Sequence, residues 1–112
     1  MADPKVIKFK KLYETDIDIL KGCFSSFHNR HIFNPGDIVQ WKPKLRNRTL
    51  AGPFVVMEVL DTPVFKFDQD HHNCYFNEPL DVIIGSIDLD GDLLCYHFDS
   101  RRLEPYKFPE TQ

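Results

Sequence analysis

The sequence predicts a mainly β domain of five short strands with one α-helix ahead of them. Three observations predict it. An apolar stripe recurs at helical spacing between residues 16 and 28, the periodicity turns alternating after Asn34-Pro35-Gly36, and the hairpin dipeptide Asp90-Gly91 separates two apolar runs. A chain of 112 residues makes one domain, and area scaling lets it bury about two-thirds of its extended surface. Apolar residues at 42% and charged residues at 28% fit a folded globular chain and exclude a disordered or coiled-coil one. Ten phenylalanines supply large core side chains.

Residues 1–11, with Lys5, Lys8, Lys10 and Lys11, read as a basic arm, frayed or loosely paired. The helix falls within 12–29. Thr15 reads as its cap, Asp18 answers three residues on, and Asp16 and Asp18 suit the positive end of the helix dipole. Ile17, Leu20, Phe24 and Phe27, with Cys23 beside them, form its apolar stripe, and the helix stops near Asn29. The β portion spans 36–107 and leaves 108–112 as a loose tail. Its first strand, 37–41, puts Val39 and Trp41 on one face and Ile38 and Gln40 on the other, and Pro43 ends it. The second, 54–60, is an almost continuous apolar run that predicts burial on both faces. A long irregular connection, 61–80, follows, with an extended piece at 64–67. The third and fourth strands are 81–88 and 93–98. A two-residue type I′ turn at Asp90-Gly91 sets Ile87 against Leu94, Gly85 against Tyr96 and Ile83 against Phe98. The opposite, mixed face of this hairpin calls for a lid, and the helix is the natural one. A tight turn at 99–103 leads to a last strand at 104–107. The expected core is Ile38 or Val39, Phe54, Val56, Val59, Ile83, Ile87, Leu94, Tyr96 and Phe98.

This succession resembles an SH3-like small β-barrel: a long loop after the first strand, a longer one after the second, a tight hairpin, then one helical turn before a short last strand. The phrases PGDIVQWK, EPLDVIIG and YHFDSRRLEPY are also similar to those of small bacterial proteins to which no activity is attached. The resemblance implies a five-stranded SH3-like barrel over 36–107, capped by the N-terminal helix. It implies no mechanism, because such barrels host peptide binders, nucleic-acid binders and structural modules alike.

Charge and cysteine usage narrow the function classes. The net charge of −3 hides an asymmetry: residues 1–57 carry ten Lys/Arg against five Asp/Glu, and residues 58–112 carry four against twelve. No run is long enough to span a membrane, and 1–11 lacks the apolar centre of a signal peptide, so the expected address is the cytoplasm. Three cysteines without Cys-x-x-Cys spacing, Cys23, Cys74 and Cys95, predict reduced, mostly buried thiols and not a disulfide framework or zinc ribbon.

Two clusters have metal-like spacing. Asp88, Asp90 and Asp92 open like a calcium loop, but the twelfth position is Asp99 instead of a bidentate Glu, and the residues between read as strand. Asp68, Asp70, His71, His72 and Cys74 crowd one loop, with His28 and His31 elsewhere, yet no pair has the helical i, i+4 spacing that aims two ligands at one ion. Neither predicts a metal or a cofactor. Cys74 with a neighbouring His lacks a Gly-rich oxyanion loop, so no catalytic residue and no enzyme is predicted.

Binding surfaces remain. The leading expectation is a non-catalytic module that binds another protein through the 61–80 loop and the adjacent barrel face, with Phe67, His71, His72, Tyr75 and Phe76 as contacts. The alternative is nucleic-acid binding, in which Lys42, Lys44, Arg46 and Arg48 meet phosphates and Trp41 offers a stacking platform. Arg101 and Arg102 add forked donors near the rim, beside Asp99 and Glu104. A monomer is favoured over a homodimer, on the reasoning that the helix stripe covers the second strand if that strand lies at an edge.

Overall fold

A computed structural model describes residues 4–65 and 78–109, with side chains from Thr15 onward. Helix α1 (Pro4–His28) precedes strands β1 (Ile38–Trp41), β2 (Phe54–Val64), β3 (Leu80–Ile87), β4 (Leu93–Phe98) and β5 (Leu103–Pro105). The tight turn before β5 is a 3-10 turn, Ser100–Arg102. All five strands pair antiparallel in one sheet in the order β4-β3-β2-β1-β5. The mainly β expectation holds, and no pairing joins β4 to β5 to close the sheet into a barrel.

Local chemistry explains where the boundaries differ from expectation. The helix starts at Pro4, so the stretch expected as a frayed arm is helical from residue 4, and Thr15 and Asp18 lie inside the helix instead of capping it. Proline suits a first helical turn because it has no N–H to lose there. No glycine or proline interrupts the chain from Lys5 to Lys21, so nothing stops the helix. β2 continues to Val64 with register shifts that bend it against β3.

The hairpin corrects the expected register by one residue. A type I′ turn needs positive φ at both central residues, and of Asp90 and Gly91 only Gly91 has it, at +85°. Gly91 N–H donates to the Asp88 carbonyl at 3.1 Å, and Asp88 N–H donates to the Asp92 carbonyl at 3.0 Å. The Asp88 carboxylate accepts from the N–H groups of Asp90 and Asp92, both at 2.9 Å. These bonds make a three-residue loop closed by a left-handed glycine. Ile87 therefore opposes Leu93, Gly85 opposes Cys95, Ile84 opposes Tyr96 and Val82 opposes Phe98.

A one-residue slip exchanges the faces of a strand, and the core follows. Val39, Phe54, Val56, Val82, Ile84, Phe98 and Leu103 are buried together with Phe33, and Trp41, Leu50 and Tyr96 pack against them. Of the expected core, Val39, Phe54, Val56 and Phe98 are buried and Tyr96 is partly so. Ile83 is half-buried, while Val59, Ile87 and Leu94 are exposed. β2 is buried on one face only, and it lies inside the sheet, flanked by β1 and β3.

The helix does not lie over the sheet as a lid. It docks by its C-terminal end: Lys42 Nζ donates to the carbonyls of Ser26 and Asn29, at 2.5 and 2.7 Å. The Arg101 guanidinium sits 4.2 Å from the Phe27 ring centroid, and that of Arg102 5.3 Å from it. Leu20 and Phe24, expected in the buried stripe, are 68% and 67% exposed. The radius of gyration, 17.5 Å, exceeds the roughly 13 Å of a compact chain of about this size.

Candidate functional site: the outer face of the sheet

The basic loop is engaged in holding the fold together. Trp41 stacks on Phe98 with centroids 4.7 Å apart, meets Phe54 edge-on at 5.7 Å, and donates its indole N–H to the Leu50 carbonyl at 2.7 Å. Its ring is partly buried, packed against the core on one side, and also lines the hollow beside Lys44 and Arg46. Lys42 is buried against the end of α1, and burial lowers its pKa despite the opposing charges of Glu104 and Asp99. Arg48 is half-buried, its guanidinium 5.9 Å from the Phe98 centroid. Lys44 and Arg46 are exposed beside a hollow that Trp41, Pro43 and Ala51 also line. Of the four cations expected on phosphates, Lys44 and Arg46 are exposed, Arg48 is half-buried and Lys42 is buried.

Arg101 and Arg102 pair with the buried carboxylates Asp99 and Glu78. Asp99 accepts from the Arg101 backbone N–H at 3.0 Å and from its guanidinium at 2.6 Å, which raises the Arg101 pKa. Arg102 bonds Glu78 through Nε at 2.8 Å and through Nη2, and its Nη1 donates to the Leu45 carbonyl at 2.9 Å. Asn47 donates to the second Glu78 oxygen at 2.9 Å. Asp81 accepts from both the N–H and the hydroxyl of Ser100, at 2.7 and 2.6 Å. Among the described residues no buried side-chain nitrogen or oxygen lacks a partner. Glu78, at the end of the irregular connection, escaped the sequence reading because its partners are distant in the chain.

Phe67, His71, His72, Tyr75 and Phe76, the expected protein contacts, lie outside the described residues, as do Asp68, Asp70 and Cys74. Cys95 is exposed and Cys23 half-buried, so the two described thiols are not the buried ones expected.

What the structure does assemble is an apolar surface on the side of the sheet away from the core. The register aligns Ile38, Val55, Gly85 and Cys95 across four strands, and places Ile83 and Ile87, with Leu93, on the same side. Met57 joins them, its sulfur 3.2 Å from where a Cβ on Gly85 would stand. Ile87 is 64% exposed, Leu93 49% and Met57 42%. Among the described residues nothing covers this face. Adjacent apolar side chains on an open sheet face differ from scattered exposed ones, because the patch is contiguous and keeps an unmet gain from burial. The signal was present in the sequence as the apolar runs of β2 and β3, but the hairpin register decided which residues of β3 and β4 face solvent.

No protein-family model, no curated protein and no solved structure matches the chain. Among the described residues no helix is long and apolar enough to cross a membrane.

Proposed function

We propose that this domain is a non-catalytic interaction module that binds another protein through the outer face of its sheet and through the 61–80 connection, with Phe67, His71, His72, Tyr75 and Phe76 as contacts. The observation that carries the reading is the contiguous exposed patch of Ile38, Met57, Ile87 and Leu93. The described buried ionisable groups, Lys42, Glu78 and Asp99, are each engaged in structural bonds, which favours binding over catalysis. We further read the sheet as SH3-like. The strand order β4-β3-β2-β1-β5 and the 3-10 turn entering β5 support that reading.

The test is capture of partners from cell extract by the intact chain and by a Met57→Glu, Ile87→Glu variant. The intact chain is expected to retain a partner that the variant loses, and equal recovery by both sinks the reading. A labelled DNA and RNA titration separates the alternative. Binding that falls steeply with salt and is abolished by Lys44→Glu, Arg46→Glu would put the function on the basic loop instead.

A further inference from the structure

The two edges of the sheet are unlike. β5 has three residues, includes Pro105, and has Glu104 and Lys107 to keep other strands away. β4, Leu93-Leu-Cys-Tyr-His-Phe98, has neither proline nor a residue that is charged at all pH values, and its first three residues are exposed.

The hydrogen-bond parity of the hairpin identifies which backbone groups of β4 face outward. Asp88 and Asp92 form a hydrogen-bonded pair across the loop, and such pairs alternate along an antiparallel ladder. Leu94, Tyr96 and Phe98 therefore bond to β3, and the N–H and C=O groups of Leu93, Cys95 and His97 point away from the sheet. Among the described residues nothing pairs with them.

We infer that β4 is a self-pairing edge: two copies of this chain join β4 to β4, antiparallel, into one continuous sheet. This deepens the interaction-module reading and rests on it for the role of the sheet, while committing to a second copy as the occupant of the edge. The outward residues have a middle member, Cys95. A two-fold axis through the Cys95–Cys95 pair sets Leu93 of each copy against His97 of the other and Leu94 against Tyr96. Every outward donor then meets an acceptor, about six backbone hydrogen bonds in all. No other register on this short strand satisfies all the outward groups at once. The same operation brings the two apolar outer faces together edge to edge, so Leu93 of each copy is covered where it is now exposed. An extended peptide fits less well. The hollow beside β4, lined by Arg48, Leu80, Cys95, Tyr96 and His97, is about 170 Å³, well below the roughly 300 Å³ at which side-chain or ligand pockets begin. The expectation of a monomer rested on α1 covering β2 if that strand is an edge; β2 is internal, and the edges of the sheet among the described residues are β4 and β5.

Sedimentation equilibrium of the full chain at tens of micromolar is expected to give twice the 13.2 kDa chain mass. Cys95→Pro removes one outward N–H without touching the bonds to β3, and is expected to return the mass to that of one chain with the circular dichroism unchanged. Leu93→Lys, at a half-exposed position, is the second variant and should do the same. In a Cys23→Ser, Cys74→Ser background, mild oxidation should link two copies through Cys95, since paired Cα atoms stand about 5.5 Å apart. A single-chain mass throughout, or a dimer that survives both β4 variants, or a dimer that does not cross-link through Cys95, overturns the proposal. The two readings fail separately. Partner capture lost in the Met57→Glu, Ile87→Glu variant of a chain that sediments as a monomer keeps the module and rejects the self-pairing.

Discussion

Lys42 illustrates how one residue changes meaning once its neighbours are known. In a run of loop cations it reads as a phosphate contact, yet its ammonium is buried and donates to two carbonyls at the end of α1. The Ser26 carbonyl lies in the last turn of the helix, where it also accepts from the Asn29 N–H at 3.1 Å, and Asn29 directly follows the helix end; a cation is favoured there by the helix dipole. Burial holds the Lys42 pKa below its ordinary value. The unfolded chain keeps the ordinary value, so in the alkaline window just below it the unfolded state binds more protons than the folded one. Stability from this group therefore rises as pH rises through that window. Lys42→Met is expected to lose about 1 kcal/mol near neutral pH. The gap between wild type and variant should widen as the pH rises toward the ordinary lysine value, as read by urea unfolding at each pH. A gap that narrows would mean the ammonium is better stabilised in the fold than in water.

At the scale of elements, the β3–β4 hairpin sets which residues are core and which are surface. The side chain of Asp88 does this by accepting two loop N–H groups, which selects a three-residue loop over the two-residue loop that Asp90-Gly91 suggests. Gly85 is the position most sensitive to the outcome. A Cβ there would stand 2.7 Å from Leu93 Cδ1 and 3.0 Å from Val55 Cγ1. Leu93 can swing away because it is half exposed, whereas Val55 belongs to a central strand. Gly85→Val is expected to destabilise by about 1–3 kcal/mol, and adding Leu93→Ala should restore part of the loss. Urea midpoints of the single and double variants check this, and no recovery in the double variant would place the collision on Val55 and Met57.

Across the whole molecule, long-range ties connect segments that the sheet ladder does not. The Arg102 guanidinium bonds Glu78 before β3 and the Leu45 carbonyl in the loop after β1, and Asn47 completes the Glu78 shell. The same arginine and Arg101 lie against Phe27 at the end of α1. One turn thus pins a helix, a loop and the entry to a strand. Because the Glu78 carboxylate is buried, deleting its partner leaves an uncompensated charge. Arg102→Met is expected to cost about 3 kcal/mol, while Arg102→Lys recovers little, since an ammonium cannot reproduce the forked contacts. Thermal unfolding of the two variants measures this, and a Lys variant equal to wild type would show that charge alone is needed.

The order of elements, the span of β4, the 3-10 turn before β5 and the buried Phe54, Val56 and Phe98 were legible in the sequence, and Val39 as one of two alternatives with Ile38, because periodicity, turn dipeptides and apolar runs are local properties that a few neighbouring residues determine. Three decisions were made only by tertiary structure. The hairpin register depended on whether a carboxylate or a dipeptide controlled the loop, which in turn exchanged Ile83 and Ile87 for Val82 and Ile84 in the core. The fate of Trp41 and Lys42 depended on Phe98, Leu50 and the end of α1, partners that sequence spacing does not reveal. The exposed faces of α1 and of the sheet arose because the helix is held by its last turn. An amphipathic stripe reports that a surface is suited to burial, and only the packed chain determines whether it is buried within the molecule or left for another.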